Sequence, residues 1–251
     1  MGQEAYVADV VKEDRSTTVA VTQKGDSNDK RLELIIAEEL VGVEVAEEIG
    51  FPAFSALQQR CTKSQELLIR CLDILGSVLA LLVSLPLMGV ISLFIKIFSP
   101  GSVLYKQDRI GKNGKVFTLY KFRTMINNAE DQTGPVLAAK EDSRVTSIGR
   151  VLRRTRLDEL PQLFNVLVGN MSLVGPRPER PYFVNRHNSL QGMRLSVKPG
   201  ITGLAQIRSF YDLKPRHKAK YDYLYIQRRS LLLNMYILLK TLPVIFSKKG
   251  W

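Results

Sequence analysis

The sequence predicts an α/β domain, more strictly α+β and rich in helices, that joins a membrane through an N-terminal re-entrant membrane helix and interfacial amphipathic helices. Residues 74–95 form a run of 22 without a charge, residues 103–122 alternate like two strands around a turn, and an apolar stretch at 230–246 is interrupted by Lys240 and Pro243. We therefore expect three regions: an N-terminal extension of unassigned function (1–63), the membrane helix (64–99) and a cytoplasmic domain (100–251) that ends in an interfacial helix.

The charge of the chain is divided unevenly. Residues 1–66 carry 7 Lys and Arg against 13 Asp and Glu, whereas residues 67–251 carry 29 against 11. A basic body suits anionic partners such as phosphates, acidic lipid headgroups or nucleic acid. The long apolar run argues against a nucleic-acid-binding protein, so we expect no nucleic acid partner.

The apolar run at 74–95 predicts the location of the protein. A helix of this length measures about 33 Å, which is close to the thickness of the bilayer hydrocarbon. A buried core helix is the alternative, but a small domain rarely buries a helix that is apolar on every face. Pro86 lies near the middle and favours a break, and Ser84 offers a hydroxyl to a carbonyl that the proline frees. Arg70 before the run and Lys96 after it favour two ends on the cytoplasmic side.

A hairpin is predicted directly after this run. Residues 103–107 and 116–122 alternate like strands, and Asn113-Gly114 between them marks a turn. Near the end of the second strand, Lys121 and Arg123 share one face, since side chains two apart point the same way. They are either ordinary solvated cations or phosphate ligands.

An acid pair among arginines is the sharpest constellation in the chain. The sequence RRTRLDELPQLFNVL at 153–167 places Asp158 and Glu159 before a helical pattern, with Arg153 upstream. The simple interpretation is that Asp158 is the N-cap of a helix with Pro161 in its first turn. The chemical interpretation is that a carboxylate held among cations attacks a phosphorus atom.

A proline-bracketed arginine is the next candidate. In Gly175-Pro-Arg177-Pro-Glu179, the two prolines restrict the backbone around Arg177. The segment is either a rigid turn with a solvated arginine or a preorganised guanidinium that clamps a phosphate or nucleotide. Residues 198–203, KPGITG, are predicted to form a loop with tight turns.

Taken in order, these motifs resemble a known family. RCLD at 70–73, YKFRTM at 120–125, LDELPQLFNVL at 157–167, MSLVGPRPE at 171–179 and KPGITGLAQI at 198–207 are similar to those of the bacterial sugar transferases. These are monotopic polyprenyl-phosphate phosphoglycosyl transferases, here in the small catalytic-core form. The resemblance covers about residues 65–251.

The resemblance implies a transferase on the cytoplasmic face of the bacterial inner membrane. It would move a sugar-1-phosphate from a UDP-sugar donor to polyprenyl phosphate, with Mg²⁺ as cofactor and membrane lipids and a possible homodimer as partners. It implies that Asp158 is the nucleophile and a metal ligand, that Glu159 is the adjacent acid, and that Lys121, Arg153 and Arg177 bind phosphate; we add Arg123 to this set. A non-catalytic scaffold for polysaccharide assembly is the alternative function.

Overall fold

The structure is a computed structural model that describes residues 61–130, 134, 142–187, 190–208 and 215–246. The extension expected over residues 1–63, apart from its last three positions, lies outside the described residues. The first described element is a 36-residue helix, α1 (Lys63–Phe98), and it corresponds to the predicted membrane helix.

The rest of the described chain mixes helices with strands, as the sequence predicts, and its strands form two small sheets, of which the sequence predicts only the first. In chain order the elements are β1 (Leu104–Ile110), β2 (Val116–Phe122), α2 (Ser147–Arg154), α3 (Gln162–Val168), β3 (Ser172–Val174), α4 (Pro181–Val184), β4 (Gly200–Thr202), α5 (Leu204–Arg208), α6 (Pro215–Gln227) and α7 (Leu231–Phe246). Strands β1 and β2 are antiparallel, and β3 and β4 are parallel.

Helix α1 is continuous through Pro86. It begins after Thr62, whose side chain accepts a hydrogen bond from the Gln65 N–H at 3.2 Å. Pro86 lies inside the helix and does not end it, contrary to the predicted break. The Ser84 hydroxyl lies 3.5 Å from the Leu81 carbonyl, three residues back along the helix. Neighbouring turns therefore hold the helix together around the proline.

One face of α1 is buried against the domain and the other faces are exposed. The buried residues are three, four or seven apart: Ile69, Asp73, Ser77, Leu81, Met88, Ile91 and Ile95. This spacing is one face of a helix. Large apolar side chains such as Leu79, Leu82 and Leu93 are exposed. The helix is long and apolar enough to cross a membrane, with a mean hydropathy of 2.6 over its most apolar window.

Polar contacts fix the N-terminal part of α1 to the domain. Arg70 donates from its two terminal nitrogens to the carbonyls of Val166 at 2.7 Å and Leu167 at 2.9 Å, in the last turn of α3. The buried Asp73 accepts from the Ser172 hydroxyl at 2.9 Å and the Leu173 N–H at 2.8 Å. A cation at the C-terminus of a helix satisfies carbonyls that lack an intrahelical partner.

Arg123 fixes the C-terminal part of α1. Its terminal nitrogens donate to the Ser99 carbonyl at 2.6 Å and the Pro100 carbonyl at 2.7 Å, and also to the Asn127 side chain. Its side chain is buried, and these bonds connect it to the end of α1 rather than to the acid pair. The sequence predicts Arg123 as a phosphate ligand; its bonds in the structure instead favour a role in fixing the end of α1.

The predicted hairpin is confirmed and is longer than expected. β1 extends to Ile110 and pairs with β2 over seven positions, with Lys121 opposite Tyr105. At the turn, Asn113 adopts a φ of 58°, which this residue type tolerates. Asn165 of α3 bridges to the second strand: its amide donates to the Thr118 carbonyl at 2.8 Å and accepts from the Tyr120 N–H at 3.1 Å.

The C-terminal apolar stretch is helical, as predicted. Helix α7 contributes Leu233 and Ile237 to a buried cluster that also contains Val174. Leu232, Leu239 and Leu242 on the same helix are exposed. One apolar face in the core and another on the surface suit a helix at a membrane interface, and that placement remains a prediction.

Candidate active site

The acid pair lies in a short 3₁₀ turn, Leu157–Glu159, between α2 and α3. Arg156 precedes this turn with a φ of 60°, in the left-handed region that non-glycine residues rarely adopt. Such a conformation persists where surrounding contacts enforce it, and it often marks a functional site. The prediction that Asp158 is the N-cap of a helix is wrong: α3 begins at Gln162, Pro161 is its N-cap, and neither acid caps it. The acids instead lie in their own 3₁₀ turn, which ends before the helix begins.

Both acids are buried, with 6% of Asp158 and 7% of Glu159 exposed. Glu159 is paired with Arg177 through a 2.6 Å contact between Oε1 and Nη2. Burial alone would raise the pKa of Glu159, but Arg177 and Lys121 outweigh burial and lower it. Burial and the neighbouring Glu159 raise the pKa of Asp158. Glu159 is thus the ion-pair partner of Arg177, and the pKa shifts of the two acids have opposite directions.

Lys121 of β2 completes the centre of the site. Burial lowers the pKa of Lys121 to about 8, and the attraction of Glu159 and Asp158 opposes this shift. The structure therefore brings Lys121, predicted as a phosphate ligand, close to the acid pair. Asn165 holds the strand at this position through its bonds to β2.

Arg153 approaches from α2, and it also lowers the pKa of Asp158. Its Nε donates to the Thr124 hydroxyl at 2.7 Å, which anchors the guanidinium just beyond β2. Helix α2 comes very close to this segment: a Cβ on Gly149 would overlap the Thr124 carbonyl. Only glycine allows that approach.

The Gly175–Glu179 turn is held by buried contacts that the sequence did not reveal. The Arg177 carbonyl accepts a hydrogen bond from Arg194 at 2.8 Å. Arg194 is itself paired with Asp222, whose Oδ2 is 2.7 Å from Nε. On the other side, Arg109 donates to the Pro178 carbonyl at 2.9 Å. These bonds fix the backbone from which the Arg177 guanidinium reaches Glu159.

Residues 198–203 hold the Gly175–Glu179 turn through backbone hydrogen bonds. We predicted a loop here, but residues 200–202 form strand β4 and pair with β3. The Gly175 N–H donates to the Thr202 carbonyl at 2.9 Å, and the Gly200 N–H donates to the Pro176 carbonyl at 2.9 Å. The strand was missed because a three-residue run is too short to show a period of two.

Asp158 could contribute one ligand to a divalent cation. The described part of the chain holds no group of three or more His, Cys, Asp or Glu that could form a metal site by itself. Mg²⁺ commonly uses one or two carboxylates and takes its other ligands from substrate phosphates and water. Glu159 is engaged by Arg177, which leaves Asp158 as the carboxylate of the pair that could hold such an ion.

Known proteins resemble this chain closely. A family model described as bacterial sugar transferase matches residues 64–248. The chain is 43% identical over 187 residues to a UDP-N-acetylgalactosamine-undecaprenyl-phosphate N-acetylgalactosaminephosphotransferase of Aeromonas hydrophila, covering 72% of this chain and 44% of that protein. It is 40% identical over 185 residues to a UDP-glucose:undecaprenyl-phosphate glucose-1-phosphate transferase of Xanthomonas campestris pv. campestris, covering 70% and 38%.

A shorter relative is covered nearly completely. An exopolysaccharide production protein of Rhizobium leguminosarum bv. phaseoli is 40% identical over 191 residues, which cover 68% of this chain and 92% of that protein. The site is a buried acid pair among basic side chains, in a domain whose first helix is long and apolar enough to cross a membrane. The chain belongs to the bacterial sugar transferase family. It spans less than half the length of the two phosphotransferases named above.

Proposed function

We propose that the protein transfers a sugar-1-phosphate from a UDP-sugar to polyprenyl (undecaprenyl) phosphate and releases UMP through a covalent Asp158–phosphosugar intermediate. This reaction would start the assembly of an exopolysaccharide, capsule, O-antigen or glycoprotein glycan. The buried Asp158, surrounded by Lys121, Arg153 and the Glu159–Arg177 pair, is the observation that carries the proposal. Membership of the family and the names of the relatives support it.

In the first step, an Asp158 carboxylate oxygen attacks the sugar-bearing phosphorus. The bond to the bridging oxygen breaks, and UMP leaves with that electron pair. Lys121 and Arg153 offset the negative charge that builds up on the phosphoryl oxygens. The Glu159–Arg177 pair holds the guanidinium in a fixed direction, so little reorganisation is required during the reaction.

In the second step, a phosphate oxygen of the acceptor attacks the phosphorus of the intermediate. The bond between that phosphorus and Asp158 breaks, the carboxylate is restored, and the polyprenyl diphosphosugar leaves. Asp158 is the residue that would hold Mg²⁺, which would supply positive charge to offset the negative charge of the phosphates. Lys121 and Arg153 would offset phosphate charge in this step as in the first.

Release of UMP by purified protein in detergent tests this proposal. We expect one UDP-sugar of a panel to release UMP when polyprenyl phosphate and Mg²⁺ are present, and EDTA to stop the reaction. The relatives' names mention N-acetylgalactosamine and glucose, so the panel includes both. If no UDP-sugar releases UMP and the protein is folded, the scaffold alternative is favoured instead.

We also propose a re-entrant path for α1, with both ends on the cytoplasmic side. Its N-terminal part is fixed by Arg70 and Asp73, and its C-terminal end by Arg123, to the same domain. The distance along the helix from Asp73 to Ser99 is about 39 Å, which exceeds the thickness of the hydrocarbon core. A polar domain that contacts both ends cannot lie on both sides of a bilayer, which supports a shared side.

Cysteine labelling in intact cells tests this topology. With Cys61 and Cys71 replaced, single cysteines at Lys63 and Asn113 should both be protected from an impermeant reagent in the periplasm, because both lie on the cytoplasmic side. Labelling of one site alone from outside would show that α1 crosses the membrane.

Pro86→Ala should shift a fraction of molecules toward a crossing path if the proline bends the helix. If both sites stay protected in every molecule of this variant, the contacts at the two ends of α1 alone determine the path.

A further inference from the structure

A cavity lies between the membrane helix and the acid pair. Its volume is about 230 Å³. Ala80 of α1 and Thr241 of α7 line it, together with Leu160, Leu163 and Gln206 and with Arg156 and Glu159 of the site. We propose that this cavity holds the first isoprene units of the polyprenyl acceptor and thereby directs its phosphate toward the intermediate. The inference rests on the proposed function and assigns a place to its lipid substrate.

The walls of the cavity are mostly apolar, and two of the lining residues belong to α1 and α7, the helices with exposed apolar faces. Ala80 lies in the charge-free run of α1, and Thr241 lies on α7, whose Leu239 and Leu242 are exposed. Leu160 and Leu163 close the side next to the acid pair. An apolar chain that enters from the lipid would thus remain out of water up to the reacting group.

The cavity matches a short piece of the carrier in size. A cavity of about 150 Å³ accommodates benzene, which has six carbons. A space of about 230 Å³ therefore fits one or two five-carbon isoprene units but not the whole chain. The nucleoside of the donor fits less well, since its base and ribose need many polar partners and the lining offers few.

Polar groups also line the cavity, and we place the acceptor phosphate beside them. Glu159 belongs to the acid pair, and Arg156 beside it supplies a positive charge. The side-chain oxygen and nitrogen of Gln206 are buried and have no hydrogen-bond partner among the residues that the structure describes. Buried amides are normally satisfied, so a donor at this position suits a ligand with phosphate oxygens. Gln206 lies in the segment KPGITGLAQI at 198–207, and the sequence alone predicts no role for it.

Filling the cavity tests the inference. Ala80→Phe should raise the KM for polyprenyl phosphate by about 10-fold or more while the KM for the UDP-sugar changes less than about twofold, because the ring occupies the space of the isoprene units. Leu79→Phe is the matched control: Leu79 is the preceding residue and is exposed. That variant should keep the wild-type KM for both substrates.

A second variant controls for misfolding of Ala80→Phe. Gln206→Leu has nearly the same size and removes the unpaired amide, so it should fold and still raise the acceptor KM. Release of one equivalent of UMP per enzyme without acceptor reports the first step alone, and both variants should retain it. A rise in the KM for UDP-sugar alone would assign the cavity to the donor, and unchanged constants in both variants would show that it binds neither; both results overturn the inference. Wild-type turnover, measured first, tests the proposed function separately.

Discussion

Replacing Asp158 with Asn is expected to lower the rate of UMP release by more than about 10³-fold, because a covalent route loses its nucleophile. The amide has the same size as the carboxyl group and takes its place in the 3₁₀ turn. The fold should therefore survive, which circular dichroism and the thermal midpoint in detergent would show. Because Asp158 does not cap α3, the loss of activity cannot be attributed to a lost helix cap.

Asp108→Asn provides the matched control for this variant. Asp108 lies on β1 of the same domain and is exposed, so the same chemical change should leave turnover near the wild-type rate. Near-normal activity of a folded Asp158→Asn protein would rule out the covalent role. Glu159→Gln should also be severely impaired, since it removes the buried carboxylate that holds the Arg177 guanidinium.

Replacing Arg177 with Ala is expected to lower kcat/KM for the UDP-sugar by about 10²–10³-fold, the usual cost of losing a charged donor to a transition state in a dry site. Arg177→Lys should recover only part of this loss, because a point charge cannot replace the planar fork that contacts Glu159. Steady-state kinetics at limiting UDP-sugar would measure both effects.

Arg186→Ala is the control for the Arg177 variants. Arg186 is exposed and lies over the Tyr182 ring, outside the cluster around the acids. Its removal should leave the kinetics unchanged. If Arg177→Ala retains wild-type kcat/KM at limiting substrate, the arginine is not a clamp. The combination with Glu159→Gln should cost less than the sum of the two single changes, because the residues act as one pair.

Local patterns predicted much of the architecture. The hairpin followed from alternation around Asn113-Gly114, and α1 and α7 followed from their apolar composition. Lys121, Arg153 and Arg177 were singled out from three separate motifs, and the structure places them around the predicted acid pair. These features depend on nearby residues, which is why one sequence suffices to predict them.

Contacts between distant segments could not be predicted in the same way. The sequence predicts that Arg123 and Lys121 lie on one strand face, yet the Arg123 guanidinium donates to the Ser99 carbonyl at the end of α1. The Arg194–Asp222 pair joins positions 28 residues apart, and no short spacing announces it. The start of α3 moved from the acid pair to Gln162, because the Pro161 ring and the left-handed Arg156 allow a separate turn there.

The covalent intermediate is the central claim, and intact-protein mass spectrometry tests it most directly. The protein is incubated with the UDP-sugar that supports turnover and with Mg²⁺, but without polyprenyl phosphate. The account predicts a mass increase of one sugar phosphate on the peptide that contains Asp158, its absence in Asp158→Asn, and its loss when polyprenyl phosphate is added. An unmodified protein that nevertheless completes transfer when both substrates are present, or a label on another residue, would contradict the account.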